Sequence, residues 1–258
     1  MIYLKNAQQL DMMRKSSALL YEVLLRLREA IKPGVSTAAL DVYAEQLIRK
    51  HKATPSFLDY HGYPASLCVS INEEVVHGIP SETVVVKEGD VVSVDCGLIL
   101  DGWQADSAFT VAVGDVGERK RKLIDVTEEC FFKGIRQAVN GNHLGDIGHA
   151  IQTCAESFGF GVVRDLTGHG IGRNMHEDPS VPNFGQPGHG VKLRPGMTLA
   201  IEPMIALGDY HVSQLSDGWT IVTDDRSVCA HYEHTIAVNE KGLPELLTYP
   251  GYALTEDA

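Results

Sequence analysis

The sequence predicts a mixed α+β fold, on three observations. Four segments show helical periodicity; most of the remaining chain alternates short β-branched or aromatic runs with Gly and Pro turns; and the runs "EGDVVSVDCGLIL" and "WQADSAFTVAV" flank an Asp-Gly pair, a strong hairpin signal. Runs of helix and of antiparallel strand kept apart in this way define the α+β class.

The first helix is read from "NAQQLDMMRKSSALLYEVLLRLREAIKPG". Asn6 and Gln9 form a capping signal, Leu10, Met13, Leu20, Leu24 and Leu27 fall on one stripe, and Pro33-Gly34 stops the helix. A second amphipathic helix runs from about Thr37 to His51. Strands follow, then a third helix over about Glu118 to Val139, ending before Gly141, and a fourth over about Leu144 to Ser157.

In the hairpin, Asp101 and Gly102 form the loop. Register then pairs Leu100 with Trp103 and Gly97 with Asp106, so Asp95 lies two residues along the same face and becomes a diagonal neighbour of Asp106. Diagonal positions are roughly 7–8 Å apart at the backbone, within reach of two converging side chains. Ionised carboxylates repel, so either both are solvated strand residues, or one binds a proton, or both face a cation.

With 258 residues, 44% of them hydrophobic, the chain can build a substantial core. The absence of low-complexity tracts, charge blocks and Ser/Gly-rich linkers points to a single domain spanning 1–258. A formal charge of −12 argues against direct nucleic-acid readout, which needs clustered Lys and Arg. The opening "MIYLKNAQQLD" does not read as a signal peptide, and no stretch approaches the apolar length of a membrane span. The five cysteines are odd in number, widely spaced and without CxxC, which suits a reduced compartment; a cytoplasmic setting is expected.

An internal echo runs through the chain. Gly34 and Gly141 each stand shortly before an amphipathic helix at an offset of 107, and Gly89 and Gly196 differ by the same 107, each with an acid six positions on, Asp95 and Glu202. Such an echo suggests two pseudo-symmetric halves, about 1–110 and 111–258, with matched carboxylates meeting between them.

Glu202 in "LAIEPM" and Glu233 in "CAHYEHTIAV" are acids inside apolar, strand-like runs. Acids are rarely buried unless paired or bound to metal. Four converging carboxylates without matching Lys or Arg nearby in sequence would be neutralised by two divalent cations. Among eleven histidines, His169 and His176 in "DLTGHGIGRNMHEDP" lie in a glycine-rich loop that excludes an ordinary helix, and with it the helical two-histidine zinc motif. His77, ending a strand at a Gly turn, is a further candidate, whereas His51, His143, His149, His189 and His211 read as solvated surface.

These residues resemble one family over nearly the whole chain, the type I methionine aminopeptidases. "SLCVSINEEVVHGIP", "VDCG…DGWQADSAFT", "LTGHGIGRNMHEDP", "LAIEPM" and "YEHTIAV" stand in the family's order. The resemblance implies a pita-bread fold, with an antiparallel β core, two pairs of helices and an internal pseudo-twofold. It puts the metal ligands on Asp95, Asp106, His169, Glu202 and Glu233, and implies removal of the initiator methionine from new polypeptides or short peptides, with a small second residue preferred.

By the same resemblance, two divalent ions, Mn, Fe, Co or Zn, would lower the pKa of a bridging water that attacks the scissile carbonyl. Glu202 would also shuttle the proton of that water, His176 would hydrogen-bond the developing oxyanion, and His77 would contact the scissile amide or its leaving nitrogen. Phe57, Tyr60, Tyr63, Cys68, His77, Met175, His176 and Trp219 would form the methionine pocket. Phe57 and Met175 depart from the family's usual small Cys and its usual aromatic or Leu. A monomer is expected, ribosome association is a further expectation, and no membrane partner is.

Two rival readings share the fold. Proline-specific peptidases resemble the chain in the five ligands but usually carry a large extra N-terminal domain, while only about 90 residues precede Asp95 here. A non-catalytic binding relative would have lost ligands that this chain keeps. Glu202 and Glu233, 31 residues apart, leave no room for the insertion of the type II branch.

Overall fold

Asn6 and Gln9 exchange hydrogen bonds, Gln9 N to Asn6 Oδ1 and Asn6 N to Gln9 Oε1, each 2.9 Å, and so start the first helix where the capping signal lies. In the computed structural model, which describes residues 1–255, this is α1 (Ala7–Ala30), followed by α2 (Thr37–Lys50). Next come β1 (Thr54–Pro55), β2 (Leu67–Ile71), β3 (Glu74–Val76), β4 (Val91–Leu100) and β5 (Trp103–Ala112). A second helix pair, α3 (Glu118–Ile135) and α4 (Leu144–Ser157), leads into β6 (Gly161–Val162), β7 (Gly168–Gly170), β8 (Glu177–Val181), β9 (Thr198–Ile201) and β10 (Met204–Ala206). The last strands are β11 (Val212–Gln214), β12 (Ile221–Thr223), β13 (Cys229–His231), β14 (Glu233–Ala237) and β15 (Glu245–Leu246).

Two boundaries differ from the sequence reading. α3 ends at Ile135, short of Val139, because Gln137 N–H donates to Gly134 O and Ala138 N–H to Ile135 O, a tighter turn that closes the helix ahead of Gly141. The "TGHG" stretch is a strand rather than a loop. Its glycines let neighbouring backbones approach: a Cβ on Gly168 would meet Ala200 O at 2.3 Å and one on Gly170 would meet Asp178 O at 2.2 Å.

Among the described residues the largest sheet has nine strands, β1-β4-β5-β14-β9-β7-β8 in order, with β2 beside β4 and β15 beside β14. Its pairs are antiparallel. The hairpin pairs Gly97 with Asp106 and Leu100 with Trp103, as the Asp-Gly loop requires. Asp101 and Gly102 have φ of 52° and 77°, the double left-handed geometry of a type I′ turn.

Side chains alternate across a strand, so each strand of this sheet sorts its residues between two faces. Val92, Val94, Cys96 and Leu98 of β4 pack with Leu20, Leu27, Leu40 and Ile48 of α1 and α2. Leu199, Ile201 and Ile236 pack with Phe131, Ile147 and Ile151 of α3 and α4. The helices therefore cover one face, and Asp95, Asp106, Glu202 and Glu233, out of step with those apolar residues, point to the other.

The 107-residue echo is structural. Gly34 N–H donates to Val86 O and Val86 N–H to Val35 O; 107 positions on, Gly141 N–H donates to Leu193 O and Leu193 N–H to Asn142 O. Gly34 and Gly141 share a left-handed φ, 93° and 98°, as do Gly89 and Gly196, 89° and 84°, ahead of β4 and β9. Each half thus repeats a helix pair feeding a strand that delivers a carboxylate. The five cysteines are free and buried, and no described helix is long and apolar enough to cross a membrane.

Candidate metal centre

Five adjacent strands of the sheet, β4-β5-β14-β9-β7, each bring one candidate ligand to the uncovered face: Asp95, Asp106, Glu233, Glu202 directly after β9, and His169. Register explains why they meet. Ala108 pairs with Asp95 on one side and with Glu233 on the other, so the three form a row across β4, β5 and β14. Asp106 stands opposite Gly97 and His169 opposite Ala200. Gly97, Ala108 and Ala200 facing the ligands leave little side-chain bulk between them, while Asp95 also pairs with Cys68 and His169 with Ser180 on their outer sides.

The donor atoms lie close. His169 Nε2 is 3.5 Å from Asp106 Oδ2 and 3.7 Å from Glu202 Oε1. Donor atoms of Asp106, His169 and Glu233 all lie within 4.8 Å of one another. His169 Nδ1 is 2.9 Å from the Gly170 carbonyl, which can only accept, so Nδ1 carries the proton and Nε2 presents its lone pair to the carboxylates. Asp106, His169 and Glu233 are buried, and Asp95 and Glu202 are half-buried.

Burial and mutual repulsion dominate the electrostatics. Burial first, then Asp106 and Glu202, pushes Asp95 well above the usual carboxylate range; burial, then Asp106, Glu202 and Asp95, does the same to Glu233. Glu202 is pushed up to about 8 by burial, with His169 opposing. Burial pulls His169 down, but Asp106 and Glu202 outweigh it and the net shift is upward. With protein groups alone the cluster relieves its charge by binding protons.

The residues fit a divalent metal. Asp95 Oδ1, Asp106 Oδ1 and Glu233 Oε1 are buried carboxylate oxygens without a hydrogen-bond partner, an arrangement that is costly unless a cation faces them. Four carboxylates and one imidazole form an oxygen-rich, hard-to-borderline donor set.

Beside the ligands lies a cleft of about 200 Å³. Its wall includes Phe57, Tyr60, Tyr63, Cys68, His77 and Trp219, and His176 stands at its edge with its ring 4.3 Å from that of His169. Tyr60 Oη is 2.7 Å from His176 Nδ1. Burial, then His169, holds His176 down to about 4, and burial also lowers His77, whose backbone takes a left-handed φ of 60°.

Met175 is not part of that wall. It is 1% exposed and packs behind it with Met13, Trp103 and Ile171, its tip near Gly97. Adjacent Met175 and His176 thus serve the core and the cleft. Three histidines escaped the sequence reading: His61 lines the cleft, buried His231 places Nε2 3.8 Å from Glu202 Oε2, and buried His234 packs against Phe131. Strand alternation from Glu233 was the available signal for His231. His51, His149, His189 and His211 are exposed, and His143 is half-buried at the start of α4.

The helix-backed antiparallel sheet and its carboxylate-rich centre define a metal-dependent hydrolase. The family model for metallopeptidase family M24 matches residues 11–240, and the chain belongs to that family. It is 56% identical over 248 residues to the methionine aminopeptidase of Clostridium acetobutylicum, covering 96% of this chain and 99% of the relative. The crystal structure of methionine aminopeptidase from Rickettsia prowazekii is similar with a TM-score of 0.94 at 42% identity, covering 96% of this chain and all of that one, and places the chain in the pita-bread fold. An Xaa-Pro dipeptidase from Bacillus anthracis shares the fold, with a TM-score of 0.76 at 22% identity over 97% of this chain and 63% of its own.

Proposed function

We infer that this chain is a metal-dependent aminopeptidase that removes an N-terminal methionine from new polypeptides or short peptides. The observation that carries the reading is the delivery of one ligand by each of five adjacent strands to a point beside an aromatic and sulfur-lined cleft. Aromatic walls and the Cys68 thiol suit a thioether side chain. Relatives with 56%, 53% and 47% identity carry the name methionine aminopeptidase.

Asp95, Asp106, His169, Glu202 and Glu233 would hold two divalent ions, drawn from Mn, Fe, Co or Zn. Bound there, the ions supply Lewis acidity toward the scissile carbonyl and toward water. Glu202 takes a proton from the attacking water and returns it to the leaving nitrogen as the C–N bond breaks. Tyr60 Oη lies 2.7 Å from His176 Nδ1, and a hydroxyl donating there would leave the imidazole proton on Nε2, toward the developing oxyanion. A pKa near 4 keeps this imidazole neutral at pH 7, a donor without net charge. His77, against the Trp219 edge, contacts the scissile amide. Phe57, Tyr60, Tyr63, Cys68 and Trp219 enclose the methionine side chain. The chain acts as one catalytic domain of two halves, a monomer in the cytoplasm.

A proline-specific reading has less support: the similarity to that dipeptidase is 22%, and this chain covers 63% of it. A peptide panel with Met-Gly, Met-Ala and Met-Lys starts beside Xaa-Pro dipeptides tests the choice. Methionine is released from Met-Gly and Met-Ala, more slowly from Met-Lys; cleavage of the Xaa-Pro set alone would overturn the reading.

A further inference from the structure

On the helix-covered side of the sheet, directly behind the metal centre, lies a buried histidine that the mechanism does not use. His234 is 6% exposed. It pairs in register with Ser107 of β5 and with Ile201 of β9. Each member of this row, Ser107, His234 and Ile201, is the chain neighbour of a candidate ligand: Asp106, Glu233 and Glu202. Alternation turns the row's side chains away from the centre while its backbone sets the spacing of the three ligand strands.

We propose that His234 is a positioning residue, whose imidazole, bonded to Ser107 of β5 from the reverse face, holds Asp106 and Glu233 at metal-binding spacing. The proposal rests on the metal-centre reading above. Ser107 Oγ donates to the Glu233 carbonyl at 2.6 Å. With its proton committed there, Ser107 Oγ lies 3.1 Å from His234 Nδ1 and ties the imidazole to β5. Nδ1 also lies 2.9 Å from Thr248 Oγ1, which accepts from Thr235 N–H at 3.0 Å. Nε2 lies 3.2 Å from Tyr232 Oη, whose own hydroxyl donates to Glu128 Oε1 at 3.4 Å. Both ring nitrogens are thus engaged, and the Phe131 ring, centred 5.4 Å away, packs the imidazole in one orientation.

A side chain that only filled space would be replaceable by Phe, which keeps the ring and loses both nitrogens. Asn keeps a donor near the position of Nδ1. The account therefore separates His234→Phe from His234→Asn by cobalt absorption spectra, metal calorimetry on the chelator-stripped chain, and kcat and KM on a Met-Ala peptide. For His234→Phe, metal affinity falls at least tenfold, the cobalt bands shift, and kcat falls while KM holds, since the cleft is on the other face. His234→Asn recovers most of this. Ser107→Ala, which removes one link and keeps the histidine, moves the same readouts in the same direction by a smaller factor, and serves if His234→Phe does not fold.

Wild-type affinity and cobalt spectrum in His234→Phe, with only a lowered melting temperature, would overturn the proposal, as would an Asn variant no better than Phe. A wild-type chain that binds no divalent ion would overturn the metal-centre reading itself.

Discussion

His169 Nε2 lies 3.5 Å from Asp106 Oδ2. That is longer than a usual N–H···O bond and near the roughly 3.4 Å separating two donors on one tetrahedral ion, each about 2.0–2.2 Å from it. The separation fits two donors on one cation. His176, its ring against that of His169, has its Nδ1 occupied by Tyr60 and stands at the cleft edge.

The two histidines should therefore separate by experiment. His169→Ala and Asp106→Ala weaken metal binding, because each removes a ligand. His176→Ala leaves metal binding near wild type and lowers kcat by about 10²–10³, the usual cost of losing one oxyanion donor. Metal calorimetry beside steady-state kinetics checks this; loss of metal uptake in His176→Ala but not in His169→Ala would exchange the roles.

Stability of the metal-free chain should fall as pH rises from about 6.5 to 8. Glu202, pushed up to about 8 by burial, keeps in the folded state a proton that the unfolded chain has lost, and Asp95, Glu233 and His169 shift in the same upward direction. The folded state then binds more protons than the unfolded one, so stability declines with pH. The lowered histidines, His176 at about 4 and His231 and His234 at about 3, act oppositely but only below their unfolded values near 6.5. Glu202 alone contributes about 1–2 kcal/mol over this window. Denaturant titrations of wild type and Glu202→Gln read it: the variant's slope is shallower, and equal slopes would contradict the assignment.

Metal uptake near pH 7 should release protons for the same reason. Calorimetry in buffers of different ionisation enthalpy measures the number. A heat independent of buffer would show that the carboxylates were already ionised.

Ala108 lies between Asp95 and Glu233 in their row, where a branched side chain would occupy the space between the carboxylates. Ala108→Val lowers metal affinity by tenfold or more while the metal-free fold persists, read by calorimetry and circular dichroism. Unchanged affinity would mean that the carboxylates converge elsewhere.

Gly170 has no room for a methyl group, since its Cβ would sit 2.2 Å from the Asp178 carbonyl. Gly170→Ala costs about 1–3 kcal/mol, the range for forced overpacking, and displaces His169 from its neighbours. Urea denaturation measures the loss; a change within a few tenths of a kcal/mol would show that β8 yields freely.

Much of this was legible in the residues because short-range rules governed it. Asp101-Gly102 set the hairpin register, which placed Asp95 and Asp106 on one face, and the 107-residue offset of Gly89 and Gly196 matched Asp95 to Glu202. What escaped depended on long-range pairing. The glycines around His169 looked like a loop, because in sequence a close approach of strands and a flexible turn call for the same residue. His234 was invisible as a neighbour of the centre until strand order put β14 between β5 and β9. Met175, placed in the wall by resemblance, packs instead with Met13, Trp103 and Ile171 behind Phe57.

The central claim, that five side chains form one metal centre that frees an N-terminal methionine, is tested most directly by following methionine release from a Met-Ala peptide as manganese is titrated into the chelator-stripped chain. The account gives no release without metal, a rate that rises and saturates with added ion, and free methionine as the product from the N-terminus alone. Full release without metal, or cleavage at an internal bond, would contradict it.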